Sequence, residues 1–260
     1  VSVWNNLLKF PFDLIVSDAL TLQYDSEAIR RFIDFCKSKE YQGELVHGFF
    51  SAGPTDIDAL RELDEVIRSF SQQSENGFED EGRYFSVIVD QMKDRNAAAV
   101  YAGLVTRLPA GTSPVNKTLD VELAVEYKND VLDELRSSGM VCFKDSIKKG
   151  VVCHGSPCAV QDPDSAHRQI SNFRIAQEII NEVASEQELY VGRVGAAYVM
   201  NEVSQIIKAI LSDHLSEGRL KWFDFTIAVD ENNVIHTEIE LVPIFSVQKM
   251  TQYSQVKVRV

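Results

Sequence analysis

No apolar run in this chain approaches the roughly 18 residues that a membrane-spanning helix needs. The longest, residues 12–16 and 44–50, have the length of strands and contain polar residues. Cysteine is scarce: four in 260 residues (Cys36, Cys142, Cys153, Cys158) make no disulfide framework and point to a reducing compartment. Cys36 and Cys142 sit in apolar patterns and read as core filling. Positive charge is also short, with 26 Lys and Arg against 39 Asp and Glu and a net charge of -13. That balance speaks against a nucleic-acid partner, whose phosphates need cations, and against an anionic membrane surface. The first residues lack the basic stretch and apolar core of a signal peptide. A start at Val1 rather than Met leaves room for an upstream segment. No internal repeat or low-complexity tract is seen. With 45% hydrophobic and 25% charged residues, the chain has the composition of a globular protein of one large or two ordinary domains.

What is present in the first half is an alternation of strand-like and helix-like runs. Residues 12–16 read as a buried strand. Ala28, Ile29, Phe32, Ile33 and Cys36 recur at helical spacing. Residues 45–50 make a second strand, followed by a capping box at Thr55 and Asp58 and an apolar stripe at Ile57, Leu60, Leu63, Ile67 and Phe70. Residues 72–82, rich in acid and turn formers, read as an exposed loop. Residues 84–89 and 97–108 give a third strand and helix. This order predicts a small, mostly parallel sheet covered by helices.

The Pro- and Gly-punctuated stretch 109–116 marks a change of pattern, so domains are expected at 1–118 and 119–260. The second begins with a short helix around Val131 to Leu135, closed by Gly139, and two short strands near 140–143 and 150–153. Two longer helices follow. Phe173, Ala176, Ile180 and Val183 share a face of the first. Val199, Val203, Ile206, Ile207, Ile210, Leu211 and Leu215 stripe the second, and Gly218 stops it. The period then switches to two. Phe223, Phe225, Ile227 and Val229 face the same way as Ile235, Thr237, Ile239 and Leu241 across a turn, a hairpin over 221–242 with one buried side. At the end of the chain, Val256, Val258 and Val260 alternate with Gln255, Lys257 and Arg259. The fold class expected is therefore α/β joined to α+β, with an extended C-terminal strand.

Chemistry is thinly represented. Gly111 to Thr118 has nearly the spacing of a phosphate loop, with Asn116 where the last glycine should stand and Pro114 removing a donor. A helix precedes it, where a strand is needed. Cys153, His154, Cys158 and His167 are soft ligands in a short span, but the adjacent Cys153 and His154 diverge by the strand pleat, and no second ligand pair repeats the spacing. No Gly-x-Ser-x-Gly elbow occurs. His47, His214 and His236 stand singly and read as structural. The acids of the second helix, such as Asp58, Glu62 and Glu65, are at helix-face spacing and read as solvated. No catalytic residue, cofactor or metal site is assigned. The terminal strand needs a sheet edge, either in its own hairpin or in a neighbouring copy, which would make the chain a lattice subunit.

Four stretches carry a resemblance to a known family. They are the alanine-rich Asn96 to Leu104, the Ser-Pro-Val-Asn-Lys loop at 113–117, the helix entry from Asp164 to Ile180, and the helix, glycine and hairpin from Val203 to Val242. Together they resemble the sheath proteins of contractile phage tails and related injection machines. The resemblance implies a structural subunit, not an enzyme, that stacks as six-membered rings around a tail tube. The implied partners are further copies of itself, the tube protein, and baseplate and terminator proteins. The implied location is a virion tail, assembled in the host cytoplasm and used for genome ejection. Carried over by position, Gln255 to Val260 is the donated strand and the hairpin, with Phe223, Phe225, Ile235 and Ile239, the acceptor. An N-terminal arm is also implied, for which Val1 to Asn6 is short. The alternative is an α/β nucleotide-binding protein or enzyme using the 111–118 loop, and a third reading is a zinc-stabilised module.

Overall fold

The computed structural model of the chain describes residues 7, 10–70, 73–74, 77–78, 80–162, 164–193, 196–230 and 234–244. Strand β1 (Leu14–Thr21) leads into helix α1 (Leu22–Tyr41). The strand runs on past its apolar stretch, and Ser17 bends it there. The Ser17 hydroxyl accepts from the N–H groups of Ala19 and Leu20, and pairing with the next strand resumes only at Thr21. Asp25 breaks the first turn of α1, with φ -120°, and its carboxylate accepts from the Thr21 N–H at 3.0 Å. Regular helix thus starts close to where the apolar periodicity begins.

Strand β2 (His47–Ser51) is buried at every position, as a central parallel strand must be. Consecutive side chains face opposite ways. Phe50 meets Phe32 of α1, whereas Phe49 meets Tyr101 of a later helix, α3 (Ala97–Arg107). Helices therefore cover both faces, and burying each of these rings contributes roughly 2 kcal/mol. Helix α2 (Ile57–Arg68) buries Leu60, Leu63 and Ile67. Its cap is Asp56, not Thr55: the Asp56 carboxylate accepts from the N–H groups of Asp58 and Ala59 at 3.0 and 3.2 Å. The Thr55 carbonyl instead accepts from the Tyr127 hydroxyl.

The stretch read as one exposed loop is not uniformly so. Gln73–Ser74 pairs with Gly77–Phe78, and a 3-10 turn at Glu81–Tyr84 buries Gly82 and Tyr84. A Cβ on Gly82 would lie 1.9 Å from the Ala159 carbonyl oxygen, so only glycine fits that close approach. Strand β3 (Phe85–Ile88) follows. After α3 come helix α4 (Asn129–Ser137), the very short β4 (Met140–Val141), and a hairpin of β5 (Phe143–Ser146) and β6 (Gly150–Cys153). β4 joins the first sheet, which runs β1-β2-β3-β4 with all pairs parallel. One cluster of buried side chains runs from Leu22 to Phe173, so the break at 109–116 lies within it.

Helix α5 (Ile170–Glu188) links this cluster to a second. Phe173 belongs to the first, and Ile175, Ile179 and Val183 to the second. The helix is clamped to the first unit by part-buried polar contacts. Arg174 donates to the carbonyls of Val105 and Leu108, both at 2.6 Å, and Gln177 to those of Asp13 and Leu45 at 2.8 and 2.7 Å. Helix α6 (Ala196–Ser216) buries Val199, Val203, Ile207, Ile210 and Leu211. Leu215, expected in that stripe, is exposed one turn before Gly218 ends the helix at φ +74°. Strands β7 (Leu220–Val229) and β8 (Ile235–Pro243) form the expected antiparallel hairpin. The architecture is a parallel α/β sheet followed by helices with antiparallel strand pairs. No described helix is long and apolar enough to cross a membrane.

Candidate functional site

The hairpin is built by period-two alternation. Ile235 stands opposite Val229, Thr237 opposite Ile227, Ile239 opposite Phe225, and Leu241 opposite Phe223. β7 lies over α6 and β8 over α5. The Gln187 side chain donates to the Thr237 hydroxyl at 2.8 Å and fixes β8 to the helix below. Phe223, Phe225, Ile235 and Ile239 all pack against the second cluster, yet each is only half-buried. Among the described residues this sheet has two strands, and neither outer edge is paired. A two-stranded ribbon is marginal alone and presents unmet N–H and C=O groups along both sides.

Beside the outer edge of β8 runs a groove. One cavity of about 530 Å³ extends from Pro243 to Thr237, and another of about 770 Å³ takes over near Ile235 and Val234. They share Gly43, Ala184 and Gln187, so the trough is continuous between β8 and the end of α1. Its floor is the α5 face that carries Phe173, Ala176, Ile180 and Val183. That stripe is legible in the sequence, but Ala176 and Ile180 remain half-buried because they line the trough. Ile175 and Ile179, a turn apart on the neighbouring face, do the core packing. The i, i+4 spacing of those two isoleucines was the available signal for them. At one end the groove turns polar. Arg83 pairs with Glu40 at 3.0 Å, and Asn172, only 3% exposed, gives its amide N–H to Ala166 while its oxygen has no partner. A buried acceptor without a donor carries a cost that an incoming N–H would remove. Gln255, Val256, Lys257, Val258, Arg259 and Val260, the expected donor strand, lie outside the described residues.

The rival sites do not assemble. In the 111–118 loop, four of the N–H groups that could face a phosphate are spent within the protein. Thr112 donates to Pro109 O (3.1 Å), Val115 to the Ser113 hydroxyl (3.3 Å), Asn116 to Cys153 O (2.8 Å) and Lys117 to Pro114 O (3.1 Å). Asn116 does take the left-handed conformation (φ +60°) that a glycine would, but to close a turn. Thr118 then bridges to Val152 and opens no helix. Cys153 and Cys158 are buried, and burial raises both thiols well above their ordinary value, away from the thiolate a metal or a nucleophilic role requires. His154 bonds Asp133 at 3.0 Å. Among the described residues no three His, Cys, Asp or Glu side chains gather in a metal-binding arrangement. Three of the four remaining histidines are held singly. His47 donates to Arg83 O and approaches the Ser86 hydroxyl, both at 3.0 Å, while His214 meets Glu182 at 3.1 Å and His236 meets Asp230 at 3.3 Å.

The chain shares its fold with solved sheath tail proteins. The chain is similar to the sheath tail protein of Listeria innocua, with a TM-score of 0.67 and 14% identity over 94% of this chain and 57% of that one. The sheath tail protein of Desulfitobacterium hafniense gives 0.63 and 13%, over 94% and 56%. A chain of the six-fold-symmetrised anti-feeding prophage baseplate gives 0.64 and 13%, over 90% and 67%. The chain thus spans only a little over half the length of the two tail proteins. At these identities the likeness is one of fold. No family model and no curated protein sequence matches the chain.

Proposed function

We propose that this chain is a structural subunit of a contractile sheath, which polymerises around a tail tube by strand exchange and contracts to drive the tube into a target cell. The observation that carries the reading is the unpaired edge of β8 beside an apolar groove, in a chain with the fold of sheath tail proteins. An extended segment with alternating valines matches such a receptor: main-chain bonds complete the edge, and every second side chain enters the groove. Head-to-tail donation does not close on itself, so it propagates into a helical array. Backbone pairing at the joints lets subunits rotate as rigid bodies while they stay connected. Contraction then releases energy stored when the extended array was assembled, with no catalysis by the subunit.

In this reading the copies stack as hexameric rings in a virion tail assembled in the host cytoplasm, with the tube, baseplate and terminator proteins as neighbours. The joints are proposed to lie in the unit of α5, α6 and the hairpin, the last part of the domain expected over 119–260. Removal of residues 255–260 tests the strand assignment. The truncated protein is expected to keep its circular dichroism spectrum and to sediment as a monomer where the intact chain forms tubes. Tubes of normal length from the truncated chain would rule the assignment out.

A further inference from the structure

The outward face of the hairpin carries an arrangement that is unfavourable in the monomer. Glu240 stands directly opposite Asp224, and Glu238 lies two residues along the same face of β8. All three are exposed, and like charges opposite one another on a sheet destabilise it. Glu238 and Glu240 have no ion pair among the described residues. The face's other titratable group, His236, is occupied by Asp230 at the far end. Two unpartnered carboxylates therefore sit two residues apart on the strand whose outer edge is unpaired among the described residues; the groove runs along that edge, lined by Thr237, Ile239 and Leu241 of the other face and reaching Glu240.

We propose that β8, rather than β7, receives residues 255–260 of a second copy of this chain, and that Lys257 and Arg259 select and hold it by pairing with Glu238 and Glu240. The proposal rests on the strand-exchange reading and adds the edge, the face and the recognition chemistry. With Val256, Val258 and Val260 turned into the groove, the pleat puts Lys257 and Arg259 on the face of Glu238 and Glu240 at matching two-residue spacing. The match holds whether the strand enters parallel or antiparallel. β7 offers no such ladder, since Trp222, Thr226 and Ala228 flank its single Asp224. The ten residues 245–254 span at most about 35 Å when extended, enough for the strand to reach its own groove or a neighbour's. Reach therefore does not decide between the two, and mixing of variants does.

Two full-length variants, E238K/E240K and K257E/R259E, are compared with wild type by sedimentation and electron microscopy. Each variant alone juxtaposes like charges, and its critical concentration for assembly is expected to rise at least about tenfold, or about 1.4 kcal/mol per subunit. The quadruple swap is expected to assemble as wild type does. An equimolar mixture of the two double variants is expected to assemble too, because each donor then meets an acceptor of opposite sign on the other protein. Rescue in the quadruple swap without rescue in the mixture would overturn the second copy as donor. Unimpaired assembly of K257E/R259E, while the 255–260 deletion fails to assemble, would overturn the charge ladder and leave strand exchange standing. If the deletion also assembles, strand exchange itself falls.

Discussion

His47 is buried in the first core between Phe49 and Phe173, and desolvation lowers its pKa from the ordinary 6.5 to about 3. The neutral ring is the folded form, whereas the unfolded chain takes up a proton below pH 6.5. Stability is therefore unaffected above that pH and falls as pH drops from 6.5 toward 3, by about 3 kcal/mol at pH 4. Burial lowers His154 as well, with the same sign. A His47→Asn variant keeps a donor toward Arg83 O and has no such titration. Urea denaturation between pH 4 and 7 is expected to show a flatter slope for the variant, and an unchanged slope would contradict the assignment. Asn172 and Gln177 make a related point at this scale. Both are buried amides on α5; Gln177 is used to clamp the two units together, while the Asn172 oxygen is left at the groove.

Among the elements, α2 shows how a single side chain sets a boundary. Its Asp56 carboxylate meets two of the free N–H groups, so Asp56→Ala is expected to cost about 1 kcal/mol, read as a lower urea midpoint with unchanged m-value. Thr55→Ala is expected to cost less, since its hydroxyl makes no cap. The helix was legible from its stripe, but the cap was not, because Thr55 and Asp56 are both good caps and only the chain's path chooses. The hairpin was legible throughout, since period two over ten residues admits few alternatives. β4 was legible as a strand, yet its place in the first sheet was not: Met140 and Val141 pair with β3 across some fifty residues of loop and helix. Such long-range pairing leaves no local trace. The groove was half legible. Phe173, Ala176, Ile180 and Val183 were visible as one face, but whether a face is covered or open depends on what packs opposite.

For the whole molecule, the account turns on whether copies join through β8. The net charge of -13 disfavours association of acidic surfaces, so a joint that brings the rare cations to unpaired carboxylates suits both solubility and specificity. The four native cysteines are all buried, which leaves the surface free for introduced thiols. Residues 258 and 239 come opposite one another in the proposed register for either strand direction. The most direct measurement is therefore oxidative cross-linking of the full-length Ile239→Cys, Val258→Cys double variant, followed by a non-reducing denaturing gel. A ladder of covalent dimers, trimers and longer chains is expected, absent from either single variant. A monomer band alone, linked within itself or not at all, would contradict the account.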